Sequence, residues 1–226
     1  MRYELLDKPD YGMIRVTFEQ AGEAIVVESG AMVARDTTVA MKTSMRGGLL
    51  AAAKRAALGG ESFFMNTFTS SRGGETLWLA PASEGDVEHR KLASGEALFV
   101  QSGAFVAASS DVKVDTKWGG AKGFFSGAGL FLLRCEGPGD LFFSTYGAVL
   151  PIDVTDGLIV DTDHIVAFEP TLEYRIRKVG GMKALFLSGE GLVCEFSGRG
   201  RLWVQTRSPS SLAGFLDPFR RVKKSD

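Results

Sequence analysis

The chain has 226 residues, with 26 Lys and Arg against 27 Asp and Glu, a formal net charge of −1. A balance this close to neutral argues against a broad phosphate-binding surface for nucleic acid. The length is sufficient to bury a sizeable core, and the sequence holds no apolar run of about 18 residues that would cross a membrane as a helix.

In chain order, Met1-Arg2-Tyr3-Glu4-Leu5-Leu6 turns polar at once, so no signal peptide is expected and the expected location is the cytoplasm. From Gly22 to Ala34 runs a pattern that returns twice, at Gly95 to Ala107 and, more weakly, at Thr155 to Ala167. Each copy continues into a strand of alternating apolar and polar side chains: Thr38–Thr43, Val112–Thr116 and Leu172–Ile176. A Gly-Gly pair follows each, at Gly47-Gly48, Gly119-Gly120 and Gly180-Gly181. Next come apolar runs at Phe63–Met65, Leu130–Leu133 and Leu192–Cys194. A glycine turn after each leads to a last strand, Thr76–Leu79, Asp140–Phe143 or Arg201–Val204, which is a hairpin signal. Between copies two and three the Gly-Gly pair moves from 119 to 180 and the hairpin glycine from 139 to 200, a shift of 61 both times. Self-similarity of this kind predicts three units in tandem. The expected layout is one domain over 1–212, with repeats at about 10–82, 83–148 and 149–212, and a basic tail over 213–226.

The 28 glycines fit turns and bulges of an all-β chain. One segment differs. Leu49 to Leu58, centred on alanines, Lys54 and Arg55, has high helix propensity and stops at Gly59-Gly60, which predicts a short helix near 49–58. Cys135 and Cys194 fall in corresponding strands at positions that are apolar in the partner copy, and they read as small buried hydrophobes rather than a disulfide or metal pair.

Several stretches resemble the altered-inheritance-of-mitochondria protein twenty-four family: Val27-Glu28-Ser29-Gly30-Ala31-Met32, Gly47 to Phe64, Phe64-Met65-Asn66-Thr67-Phe68, Gly137-Pro138-Gly139 and Leu202-Trp203-Val204-Gln205-Thr206-Arg207. The resemblance covers roughly 10 to 212. It implies a fold similar to the tryptophan RNA-binding attenuation protein, with three β-sandwich or double-stranded β-helix-type units per chain in a pseudo-threefold arrangement. It brings no catalytic residues to carry over.

Residue by residue, chemistry is sparse. His89 and His164 are the only histidines and lack metal-ligand spacing, although Asp161 and Asp163 flank His164. Ser29 and Ser102 precede glycine without the context of a nucleophile elbow. The Gly-x-Gly pairs lack the strand–glycine–helix setting of a phosphate loop. No catalytic site, metal or cofactor is therefore expected, and the chain reads as a non-enzymatic scaffold or binding module. Self-association, as a trimer or hexamer, is the leading expectation. Its candidate residues are the apolar ones in the glycine-flanked connectors: Leu49, Leu50, Leu58, Phe124, Phe125, Leu185 and Phe186. A peripheral membrane contact is the alternative, through Phe215, Phe219, Arg220, Arg221, Lys223 and Lys224. A contact with RNA or a small ligand, through Arg199, Arg201 and Arg207 around Trp203, rests on fold analogy and is disfavoured by the charge balance.

Overall fold

The structure is a computed structural model that describes residues 1–45, 64–115, 124–125, 130–178 and 192–220. The chain is mostly β, as its alternating and β-branched runs require. After β1 (Arg2–Leu6) come β2 (Met13–Thr17), β3 (Ala24–Glu28), β4 (Met32–Arg35), β5 (Ala40–Met45), β6 (Phe64–Thr69) and β7 (Thr76–Leu79). A second group follows: β8 (Val87–Leu92), β9 (Ala97–Gln101), β10 (Phe105–Ser109), β11 (Lys113–Asp115), the two-residue β12 (Phe124–Phe125), β13 (Leu130–Glu136) and β14 (Gly139–Ser144). The third holds β15 (Val149–Val154), β16 (Gly157–Asp161), β17 (Ile165–Phe168), β18 (Leu172–Lys178), β19 (Leu192–Gly198) and β20 (Gly200–Gln205), with a 3₁₀ turn at Thr162–His164. A helix, α1 (Pro209–Leu216), and a 3₁₀ turn at Asp217–Phe219 complete the described chain.

The same four antiparallel pairings occur in all three groups. The first and last strands pair (β2 with β7, β8 with β14, β15 with β20). The third and last also pair (β4 with β7, β10 with β14, β17 with β20). The second pairs with the fifth (β3 with β6, β9 with β13, β16 with β19). The fourth pairs with the fifth (β5 with β6, β11 with β13, β18 with β19). Even the irregularity recurs: the register shifts between Met32 and Ala34, between Phe105 and Ala107, and between Ile165 and Ala167. A bulge repeated at one position is a designed bend rather than a defect.

Neighbouring groups join by strand addition. β3 pairs with β10, Val27 opposite Ala107 and Val26 opposite Ala108. β9 pairs with β17 in the same register, Val100 opposite Ala167 and Phe99 opposite Phe168. Two six-strand runs of identical order result, β5-β6-β3-β10-β14-β8 and β11-β13-β9-β17-β20-β15, with β12 added beside β13 in the second. What remains are two partial sheets, β1-β2-β7-β4 and β16-β19-β18.

Each core crosses a junction. Ile25, Val27, Phe68 and Leu77 of the first group pack with Val106, Ala107 and Phe142 of the second. Phe99 and Leu132 of the second group pack with Ile165, Phe168 and Phe196 of the third. A central cluster draws on all three, with Val26 and Met65 at one side, Phe105 and Phe143 in the middle, and Val166 and Trp203 at the other. The rings of Phe168 and Phe196 meet edge-on at 5.1 Å, and those of Phe99 and Phe168 are 5.2 Å apart.

The expected helix over 49–58, with Leu49, Leu50 and Leu58, lies outside the described residues, as do Leu185 and Phe186. Phe124 and Phe125 form β12, opposite Phe131 and Leu130. Two elements go beyond the sequence reading. β1 adds to the edge of β2 ahead of the first repeat. α1 crosses the expected domain end at 212. Its start is encoded by Ser208, whose hydroxyl accepts from the Ser211 amide, and by Pro209 in the first turn.

The glycine turns before the last strands do not close hairpins as the sequence predicts: β6 and β7, β13 and β14, and β19 and β20 pair with other strands and lie in different sheets, so each turn carries the chain from one sheet to another. The turn between β6 and β7 is clamped by the buried carboxylate of Glu75. It accepts from the Ser70 hydroxyl and from the amides of Ser71, Arg72 and Gly73 at 3.0, 3.2 and 3.3 Å. Gly73 has φ +84, and a Cβ there would lie 2.7 Å from the Glu19 carbonyl oxygen, so glycine is required. The Ser70 hydroxyl first, and the Arg72 and Gly73 amides with it, hold the Glu75 carboxyl down at about 2, from an ordinary value of 4.5. Because the folded-state value is the lower one, this clamp stabilises the fold above pH 4.5 and is lost as pH falls toward 2. In urea titrations between pH 5 and pH 2, Glu75→Gln is expected to be less stable than the parent at pH 5, with the gap narrowing as the acid limb is crossed. A gap constant with pH would show that the carboxylate does not carry the clamp.

Candidate functional site

The titratable side chains are dispersed rather than convergent. Among the described residues no three His, Cys, Asp or Glu groups are placed to hold a metal ion. His89 Nε2–H donates to Asp140 at 2.8 Å, and its ring stacks on Phe142 with centroids 4.7 Å apart. His164 Nδ1–H donates to the Gln205 carbonyl at 2.7 Å. The Asp161 and Asp163 carboxylates that flank it serve the chain locally. Asp161 accepts from the Asp163 amide at 2.8 Å, and Asp163 accepts from the hydroxyls of Ser208 and Ser210. These are turn-closing bonds, not a ligand set.

The arginine group does not form a base-stacking face. Trp203 is buried against Phe143, and the side chain lying over its ring is that of Arg90, 5.2 Å away. Arg201 is committed to Asp153 through two bonds, Nε to Oδ1 at 2.7 Å and Nη2 to Oδ2 at 3.2 Å. Arg199 and Arg207 are exposed at opposite ends of β20. Two clefts are lined by described residues alone. One of about 420 Å³ lies between the second and third groups, lined by Arg90, Leu98, Arg134, Glu169 and Thr171. One of about 390 Å³ lies beside α1, lined by Tyr146, His164, Arg207, Ser211 and Phe215.

The cysteines are free and buried in different clusters, Cys135 in the central one and Cys194 in that of the third group. Burial pushes both thiols up to about 12. Neither forms thiolate near neutral pH, which is the opposite of a reactive cysteine.

Two apolar surfaces stand out. The first is α1 and the turn after it, where Leu212, Phe215, Leu216 and Phe219 are exposed and the rings of Phe215 and Phe219 lie 5.8 Å apart. Arg220 follows, exposed, 3.7 Å from Asp217; Arg221, Lys223 and Lys224 lie outside the described residues. The second surface is the pair of open strands β4 and β16. Their residues correspond by register to residues buried at the two junctions. Val106 and Val166 are fully buried, whereas the equivalent Val33 on β4 is 53% exposed. Val26 and Phe99 are 4% and 3% exposed, whereas the equivalent Ile159 on β16 is 59% exposed. Ala34 is exposed where Ala107 and Ala167 are buried.

Sequence reasoning placed the sticky surface on the connectors and read β4 and β16 as ordinary strands of the repeat. The signal that finds them is arithmetical: three second strands and three third strands, joined between groups, make only two junctions and leave one of each unmatched.

Compared with known proteins, residues 3–207 match the family model described as mitochondrial biogenesis AIM24. An uncharacterised protein of Streptococcus pyogenes serotype M6 is 28% identical over 229 residues, which spans 97% of this chain and 91% of the relative. A crystal structure of a Streptococcus pyogenes protein from a structural genomics programme superposes with a TM-score of 0.80 at 25% identity, covering 97% of this chain and 99% of that one.

The burial of the thiols makes one simple expectation. Folded protein at pH 8 fails to react with Ellman's reagent over the time in which denatured protein releases two equivalents. Rapid release of one equivalent from the folded state would place a cysteine at the surface.

Proposed function

The chain belongs to the mitochondrial biogenesis AIM24 family, and from that premise we propose that it is a non-enzymatic scaffold, built of three repeats of one β unit, which works by assembling with copies of itself. The observation that carries this reading is the burial contrast across equivalent positions. The unit buries Val106, Val166, Val26 and Phe99 where it meets a neighbour, and leaves Val33 and Ile159 in solvent where it does not. Apolar strand edges left open in this way are association surfaces unless something blunts them. Neither β4 nor β16 carries a proline, the bulge on β4 is one that β10 and β17 also carry while paired, and the charges on the two edges, Arg35 and Asp161, are of opposite sign. The dispersed polar groups add support, since catalysis needs a nucleophile or proton carrier, its partner and an electrostatic stabiliser converging on one reacting atom. Size exclusion with light scattering at micromolar concentration is expected to give one mass, a trimer or hexamer. A monomer over the whole concentration range would overturn the scaffold reading.

The α1 surface favours a second role. Four exposed apolar side chains are followed by Arg220 and, in the sequence, by Arg221, Lys223 and Lys224. Aromatic and aliphatic groups beside a cationic stretch suit the interface of an anionic bilayer. No helix among the described residues is long and apolar enough to span one. Flotation with vesicles rich in phosphatidylserine is expected to carry the protein at low salt, and Phe215→Asp/Phe219→Asp is expected to lose most of that binding. A parent protein that stays at the bottom of the gradient would overturn the membrane role.

A further inference from the structure

Among the described residues, both complete sheets are made of two halves from neighbouring repeats. One half is the fourth, fifth and second strands of a repeat; the other is the third, last and first strands of the next. β5-β6-β3 joins β10-β14-β8, and β11-β13-β9 joins β17-β20-β15. The leftovers are β18-β19-β16, a half of the first kind, and β4-β7-β2, a half of the second kind that also carries β1 on its far side. They are complementary, and the strands that would meet are β16 and β4. Open edges also occur at β1, β5, β8, β11, β15 and β18, but among the described residues no strand at those positions joins one repeat to another, the first-strand position gaining only β1 at β2. β4 and β16 are open at positions that are paired elsewhere in the same chain. Within one chain they do not cover one another, because Val33 and Ile159 both stand more than half exposed, at 53% and 59%.

We propose that β16 of one copy pairs antiparallel with β4 of a second copy, Val160 opposite Ala34 and Ile159 opposite Arg35, so that the two half-sheets fuse into a third complete sheet and the chains assemble head to tail into a closed ring. This rests on the self-assembly reading and supplies its partner and its register. The register is copied from the internal junctions, where Val27 faces Ala107 with Val26 facing Ala108, and Val100 faces Ala167 with Phe99 facing Phe168. Backbone pairing supplies affinity in edge addition, and the side chains on alternate positions supply selectivity.

The side chains at this joint also distinguish it from the other two. Position 35 is arginine where the internal junctions have Ala108 and Phe168. Position 161 is aspartate where they have Glu28 and Gln101. In the proposed register Arg35 stands diagonal to Asp161 of the next copy, within reach of a long side chain. A positive group on one edge and a negative group on the other favour a β4-to-β16 contact and disfavour β4 against β4 or β16 against β16. Because the two surfaces differ, the contact is heterologous and repeats from chain to chain until the ring closes.

Val33→Asp and Ile159→Asp each place a carboxylate at a site that is solvated in the free chain, so the fold is retained and far-UV circular dichroism checks it. Each variant alone is expected to fall from the parental mass to the mass of a single chain. Mixed one to one they are expected to form a two-chain species and nothing larger, since the first retains a sound β16 and the second a sound β4. In the otherwise unchanged chain, Arg35→Cys/Ile159→Cys is expected to give intermolecular disulfides on mild oxidation. Lys42→Cys/Ile159→Cys, with one cysteine on the outer strand β5, is expected to give none. If both aspartate variants keep the parental mass, or their mixture stays monomeric, the β16-to-β4 joint is overturned while the scaffold reading stands on another surface. A monomeric parent overturns both.

Discussion

Backbone pairing between the second strand of one repeat and the third strand of the next is the interaction on which the rest of this structure depends. It sets sheet size, because no repeat supplies more than half of a complete sheet. It also sets where the core lies, since Val106, Ala107 and Phe142 complete the first cluster and Phe99 and Leu132 complete the third. A repeat taken alone would leave three-strand halves with an apolar face and an open ladder edge, which is marginal in water. Linking repeats removes that deficit at each internal junction and leaves it at the two ends.

The same pairing explains why similar sequences have dissimilar surroundings. Met32-Val33-Ala34 and Phe105-Val106-Ala107 have the same strand geometry, the same bulge and corresponding partners on β7 and β14. Only the second triplet has a neighbour on its other side, and only the second is buried throughout. Fully burying a side chain the size of valine or isoleucine is worth about 1.5–3 kcal/mol, so roughly half of that remains unrealised at each of Val33 and Ile159. A gain of this size is modest beside the entropy lost on association, and the ladder hydrogen bonds and ring closure must contribute the rest.

Much of the fold was legible in the sequence. The β class, the glycine turns and the alternating strands follow from period-two patterning and from residues that occupy positive φ, but the hairpins expected at the last turns do not form, because each turn there carries the chain to strands with other partners. Burial of the cysteines was legible from the apolar residues in their partner copies. The open edges were not legible from Val33 or Ile159 one at a time, because a strand that is half paired and one that is fully paired carry the same β-branched residues. Their state is a property of chain connectivity. α1 was missed because its amphipathic stretch is short and flanked by charge, although Ser208-Pro209 marks its start. The arginines around Trp203 were a weak candidate beside a core position for the ring, and Trp203 is buried. Arg201 is two residues from Trp203 and shares its side of β20 but is held by Asp153, while Arg199 and Arg207 lie beyond the ends of the strand.

The most direct measurement is amide hydrogen exchange on the assembled protein, followed strand by strand. If half-sheets fuse between copies, the amides of β4 and β16 exchange as slowly as those of β10 and β9, and their protection disappears on dilution into monomer while that of β10 and β9 persists. Rapid exchange along β4 and β16 in the assembled state, with protection confined to the internal junctions, would contradict the account.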